Sequence, residues 1–299
     1  MISLKCSNCG GEMSIDLKGE LFCPYCGTKQ HFSDTEFEDY KRFRQNMLNY
    51  LRASADIAAD QADDSFLWSH QETVVYYSDT DTRISIDYLF YFKEDNVDTY
   101  VAKDSVIFVF DQKDIDKADK AANGIHMLQY PSADLKGLGK YFPTVKARVN
   151  LKDGGLLVAV AKPENVYPLF ALGSLRAKHV AWIISRLENI CCVFEFSQMV
   201  HNGISVNSVF INPRTHEAYL YGGWWNAYQK TNVSDQKDLL ALRKVAGQVV
   251  GEYRDDAPAE FVRFISGRPA ADAYSDFSLW DDVIEKGFGG HNFTKFSTK

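Results

Sequence analysis

Four of the six cysteines stand at Cys6-x2-Cys9-x13-Cys23-x2-Cys26, and this spacing constrains the start of the chain more than any other feature. Two tight turns, each offering a pair of thiolates, supply the four soft ligands that a tetrahedral zinc ion takes. A glycine follows each pair, Gly10 and Gly27, and lets the backbone turn so that its amides face the sulfurs. The intervening stretch from Met13 to Phe22 reads as β-structure broken at Lys18-Gly19. A unit of this size cannot bury a core of its own, so the metal must hold it together. The expectation is a zinc ribbon with one structural ion on Cys6, Cys9, Cys23 and Cys26, closed to catalysis because every ligand position is taken. An iron site or a redox dithiol would use the same residue type, but four cysteines in matched turns favour zinc. Lys5, Lys18 and Lys29 balance Glu12, Asp16 and Glu20, so protein contact is favoured over nucleic acid.

The remaining chain is long enough for a large core. It has 299 residues, 45% of them hydrophobic and 14% aromatic, which excludes general disorder. The net charge of −7 argues against a broad nucleic-acid footprint, which needs a basic face to neutralise phosphates. Met1 leads directly into ribbon sequence without a basic and then apolar leader. No run approaches the roughly 18 apolar residues of a membrane span. Cys191 and Cys192 are neighbours, and a bridge between neighbours is strained. They sit on an apolar helical pattern, where packing is expected rather than nucleophilic chemistry. Thiolates kept for metal together with free cysteines point to a reducing cytoplasm.

After the ribbon, Ser33-Asp34-Thr35-Glu36 forms a capping box. Phe37, Tyr40, Met47, Leu48 and Leu51 then recur at helical spacing, so a helix is expected from Asp34 into Ala58, ended by the polar stretch Asp60 to Ser65. It reads as a spacer packed on the next domain, with a docking helix for a partner as the alternative.

From residue 70 the pattern changes to strands: Ile84 to Phe92, Asp98 to Ala102 and Val106 to Phe110. A helix is expected over Asp114 to Leu128. Val145 to Asn150 and Leu156 to Val160 flank Asp153-Gly154-Gly155, a hairpin signal. The order is therefore three strands, a helix and two strands. Beyond Pro163 the chain turns helical. Val180, Ile183, Ile184, Leu187, Ile190, Cys191 and Phe194 share one helical face. The run Val200-His201-Asn202-Gly203-Ile204 through Val209-Phe210-Ile211 follows, then a strand from Glu217 to Tyr221 ending in Gly222-Gly223-Trp224.

This order, with V-H-x-x-I-x-x-x-x-V-x-I after a long helix, resembles the large lobe of the protein kinases. Asp238-Leu239-Leu240-Ala241-Leu242 resembles the start of the central helix of that lobe, and Arg268-Pro269 with Asp272-Ala273 resembles its late R-P-x-x-x-A turn. The resemblance spans roughly residues 80 to 290. It implies an α+β, bilobal kinase-like fold divided as 1-31 ribbon, 32-66 linker helix, 67-163 small lobe, and 164-299 helical large lobe and tail.

The resemblance also says where chemistry would stand. Active kinases use H-R-D-x-x-x-x-N, the aspartate taking the substrate proton and the asparagine holding metal. Here Asn202 and Gly203 occupy the arginine and aspartate positions, Ser208 the asparagine position, and Gly222 begins the segment matching D-F-G. No aspartate lies between Asp153 and Asp235, so a shifted register recovers none. No glycine lies between Gly27 and Gly124, which leaves no phosphate-cradling loop. The strand Val106 to Phe110 carries no lysine, and no glutamate lies between Glu94 and Glu164. The stretch from Trp224 to Gln236 is too short for a full activation segment. His201 and Asp238 are expected to brace the loop, as those positions do in kinases. Trp224 and Trp225 stand where nucleotide metal would sit, either filling the cleft or forming an exposed knob.

The expectation is a pseudokinase: no catalytic residues, no bound nucleotide, no nucleic acid or membrane, and protein partners held by a rigid scaffold. The alternatives are a degenerate transferase using Lys103 or Lys113 with Asp111 or Asp114, and nucleic-acid binding through the ribbon. At the C-terminal end, Phe277, Trp280, Val283 and Ile284 continue a helical face that Gly287-Phe288-Gly289-Gly290 stops. Phe293 and Phe296 could pin the tail to the large lobe or present a docking peptide.

Overall fold

A computed structural model describes residues 14–15, 21–22, 27–30, 68, 71–212, 215–232 and 235–291. Cys6, Cys9, Cys23 and Cys26, the helix expected over 34–58, and the tail with Phe293 and Phe296 lie outside the described residues. In the N-terminal segment three two-residue strands are described: β1 (Ser14–Ile15), β2 (Leu21–Phe22) and β3 (Lys29–Gln30). They pair antiparallel in chain order, with Ser14 opposite Phe22 and Leu21 opposite Gln30.

The strand-rich lobe is built on a five-stranded antiparallel sheet. Its members are β6 (Phe90–Glu94), β7 (Val97–Val101), β8 (Ser105–Phe110), β9 (Val145–Asn150) and β10 (Leu156–Ala161), in the order β6-β7-β8-β10-β9. The centre is β8, paired on both sides. Side chains alternate across a strand. Val106, Phe108 and Phe110 therefore enter the main core, while Ile107 and Val109 enter a second core on the opposite face. Burial on both faces is why this strand is a continuous apolar run.

The second face is covered by a feature the strand pattern did not separate. The stretch Ile84 to Phe92 is not one strand. It divides at Leu89 into β5 (Arg83–Tyr88) and β6, and β5 pairs with β4 (Glu72–Tyr77) in a separate hairpin. Val74, Tyr76, Ile84 and Ile86 from this hairpin pack on Tyr100, Ile107, Val109 and Leu157 of the sheet. The expected order of three strands, a helix and two strands holds for the five-stranded sheet. The lobe as a whole carries two more, because an exposed sheet face with this many apolar residues needs a cover.

Helix α1 (Ile115–His126) follows β8 and packs on the inner face. The helical lobe contains α2 (Ala177–Phe196), α3 (Lys237–Val250), α4 (Ala259–Ser266) and α5 (Ala273–Phe288). Helix α2 is buried on almost every side, which follows from its being apolar nearly all round. Cys191 and Cys192 are buried free thiols in it, and burial pushes both thiols well up, so they pack rather than react. Helix α5 starts where Asp272 accepts from the Ser275 amide at 2.9 Å and ends at Gly289 with φ 73°. Two short sheets line the junction with the first lobe: β11 (Tyr167–Pro168) with β13 (Val209–Asn212) and β14 (Glu217–Leu220), and β12 (Met199–Val200) with β15 (Tyr228–Gln229). Among the described residues no helix is long and apolar enough to cross a membrane.

Candidate functional site

The loop after β12 and the loop after β14 meet between the lobes. Asp238, in the first turn of α3, accepts hydrogen bonds from the amides of His201 at 2.7 Å and Asn202 at 2.8 Å. This clamp holds Asn202 at φ 54°, a left-handed conformation that asparagine tolerates. Burial raises the Asp238 carboxyl to about 6, against the lowering effect of those two amides.

His201 is fully buried. Its ring stacks on Phe194 at 5.5 Å and meets the edge of Trp224 at 4.7 Å. Its Nδ1 accepts from the Gly203 amide at 3.2 Å. Burial lowers its pKa to about 3, so the imidazole is neutral. Both residues thus hold the loop, as their positions suggested.

Gly203, Ser208 and Gly222 are tightly enclosed. A Cβ on Gly203 would lie 2.7 Å from the Gly223 carbonyl oxygen and 2.8 Å from the Gly223 Cα. Gly223 has φ 79° and approaches Gly203 equally closely from the other side. A Cβ on Gly222 would meet the Ser208 Cα at 3.1 Å. Ser208 itself is buried, and its hydroxyl accepts from the Ser205 amide at 2.8 Å and donates to the Ser205 carbonyl at 3.2 Å. Glycine here serves contact between two backbones, and the serine serves a local turn.

Trp224 and Trp225 are 1% and 6% exposed, so they fill the junction and form no knob. Trp224 donates to the Leu220 carbonyl at 2.9 Å and meets Phe142 and Phe194 edge-on. Trp225 packs edge-on against Phe108 and Phe110 of β8, on the face that looks inward. A cavity of about 60 Å³ remains between Phe108, Phe110, Ala121, Ile125, Trp224 and Trp225. Helix α1 closes on the same turn, since a Cβ on Gly124 would lie 2.9 Å from the Ala227 Cβ.

Sequence reasoning missed Asp95. It stands with Asn96 in the two-residue turn between β6 and β7, both with positive φ (51° and 64°), as a tight hairpin requires. The Asp95 carboxylate accepts from the Trp225 indole at 3.0 Å and from the Asn226 amide at 2.8 Å, which holds its carboxyl below the usual range. Lys117 of α1 donates to the Asp95 carbonyl. Beside it, Glu94 accepts from the Ser205 hydroxyl at 3.1 Å. The hairpin tip is thereby fastened to the loop of the helical lobe. The Asp-Asn dipeptide marks a turn in the sequence, but nothing in it names Trp225 as the partner.

Of the residues considered for a degenerate transferase, Asp111, Lys113 and Asp114 share one turn and Lys103 stands apart from it. Lys103 lies 3.9 Å from Glu164, both about half exposed. Asp114 pairs with Lys117 at 2.8 Å, while Asp111 and Lys113 stand at the turn leading into α1. For the cysteines, only their described neighbours bear on a metal. Phe22 ends β2 directly before Cys23, and Gly27 after Cys26 has φ 72°.

No protein-family model and no curated protein matches the chain. Solved structures do match. One is described as the structure of vaccinia related kinase 3, at 12% identity over 83% of this chain and 85% of that one, with a TM-score of 0.42. Another is the ROP18 kinase domain in complex with AMP-PNP and sucrose, at 10% identity over 83% and 94%, with a TM-score of 0.45. At these identities and scores the likeness assigns no role to any residue.

Proposed function

We propose that the chain is a kinase-like domain without phosphoryl-transfer chemistry, serving as a rigid scaffold or regulator that binds protein partners. The observation that carries this reading is Trp225, packed on Phe108 and Phe110 and bonded to Asp95 across the lobe junction. Phosphoryl transfer needs room for a magnesium nucleotide and charges that position it. On this reading the indole of Trp225 stands where that room would be needed, and the loop positions Gly203, Ser208 and Gly222 offer no carboxylate or amide. The sheet order β6-β7-β8-β10-β9, the helix after its third strand, and the Asp238 clamp on the His201 loop support the kinase-like part of the reading. A structural zinc on Cys6, Cys9, Cys23 and Cys26 belongs to the same proposal, supported by the cysteine spacing and by the strands and glycine that flank it. That metal would supply folding energy to the ribbon.

The test is a thermal-shift titration of the intact protein with ATP and GTP, with and without magnesium. A ligand at 100 times its dissociation constant adds about 2.7 kcal/mol. No shift is expected with either nucleotide. A saturable, magnesium-dependent rise would overturn the reading and restore a nucleotide-binding one.

A further inference from the structure

A second cavity, about 300 Å³, lies in the helical lobe away from the lobe junction. Three elements converge on it: α3 with Arg243, α4 and its following turn with Arg263 and Arg268, and α5 with Lys286. Four basic residues line it against two acidic ones, Glu260 and Asp282, in a chain whose net charge is −7.

The two acidic residues are engaged locally. Glu260 pairs with Arg263 at 2.8 Å and Asp282 with Lys286 at 3.0 Å, both along one helix. Exposed pairs of this kind hold their partners weakly, so either cation can turn to a ligand. Arg268 is exposed and has no hydrogen bond or ion pair with another described residue. Arg243 is 4% exposed and stacks on Phe264 at 3.8 Å. Its Nη2 donates to Asp276 at 2.7 Å, while its Nε and Nη1 are buried without any partner. Those two nitrogens expose almost no surface to the cavity, and the buried Glu188 carboxylate acts on the same guanidinium, so Arg243 lends the site positive charge and no free donor.

We propose that this cavity is an oxyanion site that takes a phosphoryl group. The exposed Arg263 and Arg268 from one element and Lys286 from another suit a dianion with oxygens in several directions, and arginine forks bind phosphate in pairs of hydrogen bonds. Leu279 and Val283 form an apolar wall beside the basic rim, which suits an organic stem on the phosphate. The site is separate from the lobe junction and stands or falls independently of the scaffold reading.

The test uses calorimetric titration of the full chain at constant ionic strength with inorganic phosphate, phenyl phosphate and benzoate. One saturable site is expected for a phosphate probe. Arg268→Ala is expected to weaken it roughly tenfold, and Lys286→Ala by a similar factor, with unchanged melting temperatures. Tighter binding of phenyl phosphate identifies an organic phosphate ester, and equal binding identifies free phosphate. Absence of saturable binding overturns the proposal. So does unchanged affinity in both folded variants, or benzoate binding tighter than phenyl phosphate.

Discussion

Gly203 stands 2.7 Å, through a would-be Cβ, from the backbone of Gly223, and this contact decides what the position can accept. A Gly203→Asp variant restores the residue type a kinase uses, but its Cβ must push the Gly223 turn aside. The expected result is no phosphate transfer and a loss of about 2 kcal/mol or more in urea unfolding, the usual size of an overpacked or strained site. Measurable transfer by this variant would refute the reading of the loop. His201 gives a second outcome at the same scale. Its pKa is about 3 when folded and near 6.5 in the unfolded chain. Between those values the unfolded chain binds a proton that the folded chain refuses, so stability falls as pH drops below about 6.5. His216, lowered by burial to about 4, acts in the same direction. Asp238, raised to about 6, acts oppositely, since its folded form keeps a proton the unfolded form has released. His201→Gln is therefore expected to flatten the fall between pH 6.5 and pH 4 by up to about 1.4 kcal/mol per pH unit. Parallel pH profiles for variant and parent would show that the imidazole is not buried neutral.

At the scale of elements, the β6–β7 hairpin is held by its tip as well as by its ladder. Asp95 bonds to Trp225 and Asn226, and Glu94 to Ser205. Asp95→Ala removes the carboxylate that accepts from both Trp225 and Asn226 while leaving the strand pairing intact. The expected cost is about 1–3 kcal/mol, because the buried indole N–H loses its partner. Faster hydrogen exchange is expected in the β6–β7 hairpin and the 224–226 turn, with β8 and β10 unchanged. Exchange that rises uniformly over the lobe would mean that the latch is not a local element. Burial of β8 on both faces makes a further point here. A lysine in this strand would leave an ammonium in one of two apolar layers, so the packing on both faces explains why the strand carries none.

At the scale of the whole molecule, the main core runs from the inner face of the sheet through the junction into α2, α3 and α5. The ribbon cysteines lie outside the described residues, and their contribution is open to direct measurement. Cys23→Ser is expected to abolish bound zinc, one ion per chain by elemental analysis, while the main thermal transition persists. Loss of that transition would make the ribbon integral to the core. Much of the architecture was legible from the chain alone. The apolar face of α2, the Asp153-Gly154-Gly155 turn and the strand over Glu217–Leu220 all express periodicity or turn chemistry, which act over a few residues. The absence of aspartate between Asp153 and Asp235 is equally a property of sequence. The division of Ile84 to Phe92 into two strands was not legible, because both halves share one alternating pattern and only the open sheet face selects which half crosses over it. The Asp95–Trp225 bond spans 130 residues, and the basic cavity joins three helices. Sequence by itself determined which residue types stand at each loop position and where most helices and strands lie, since those depend on residue type and local spacing. Only the tertiary structure decided what fills the junction and which charges meet, because such contacts depend on packing between elements that the chain does not place side by side.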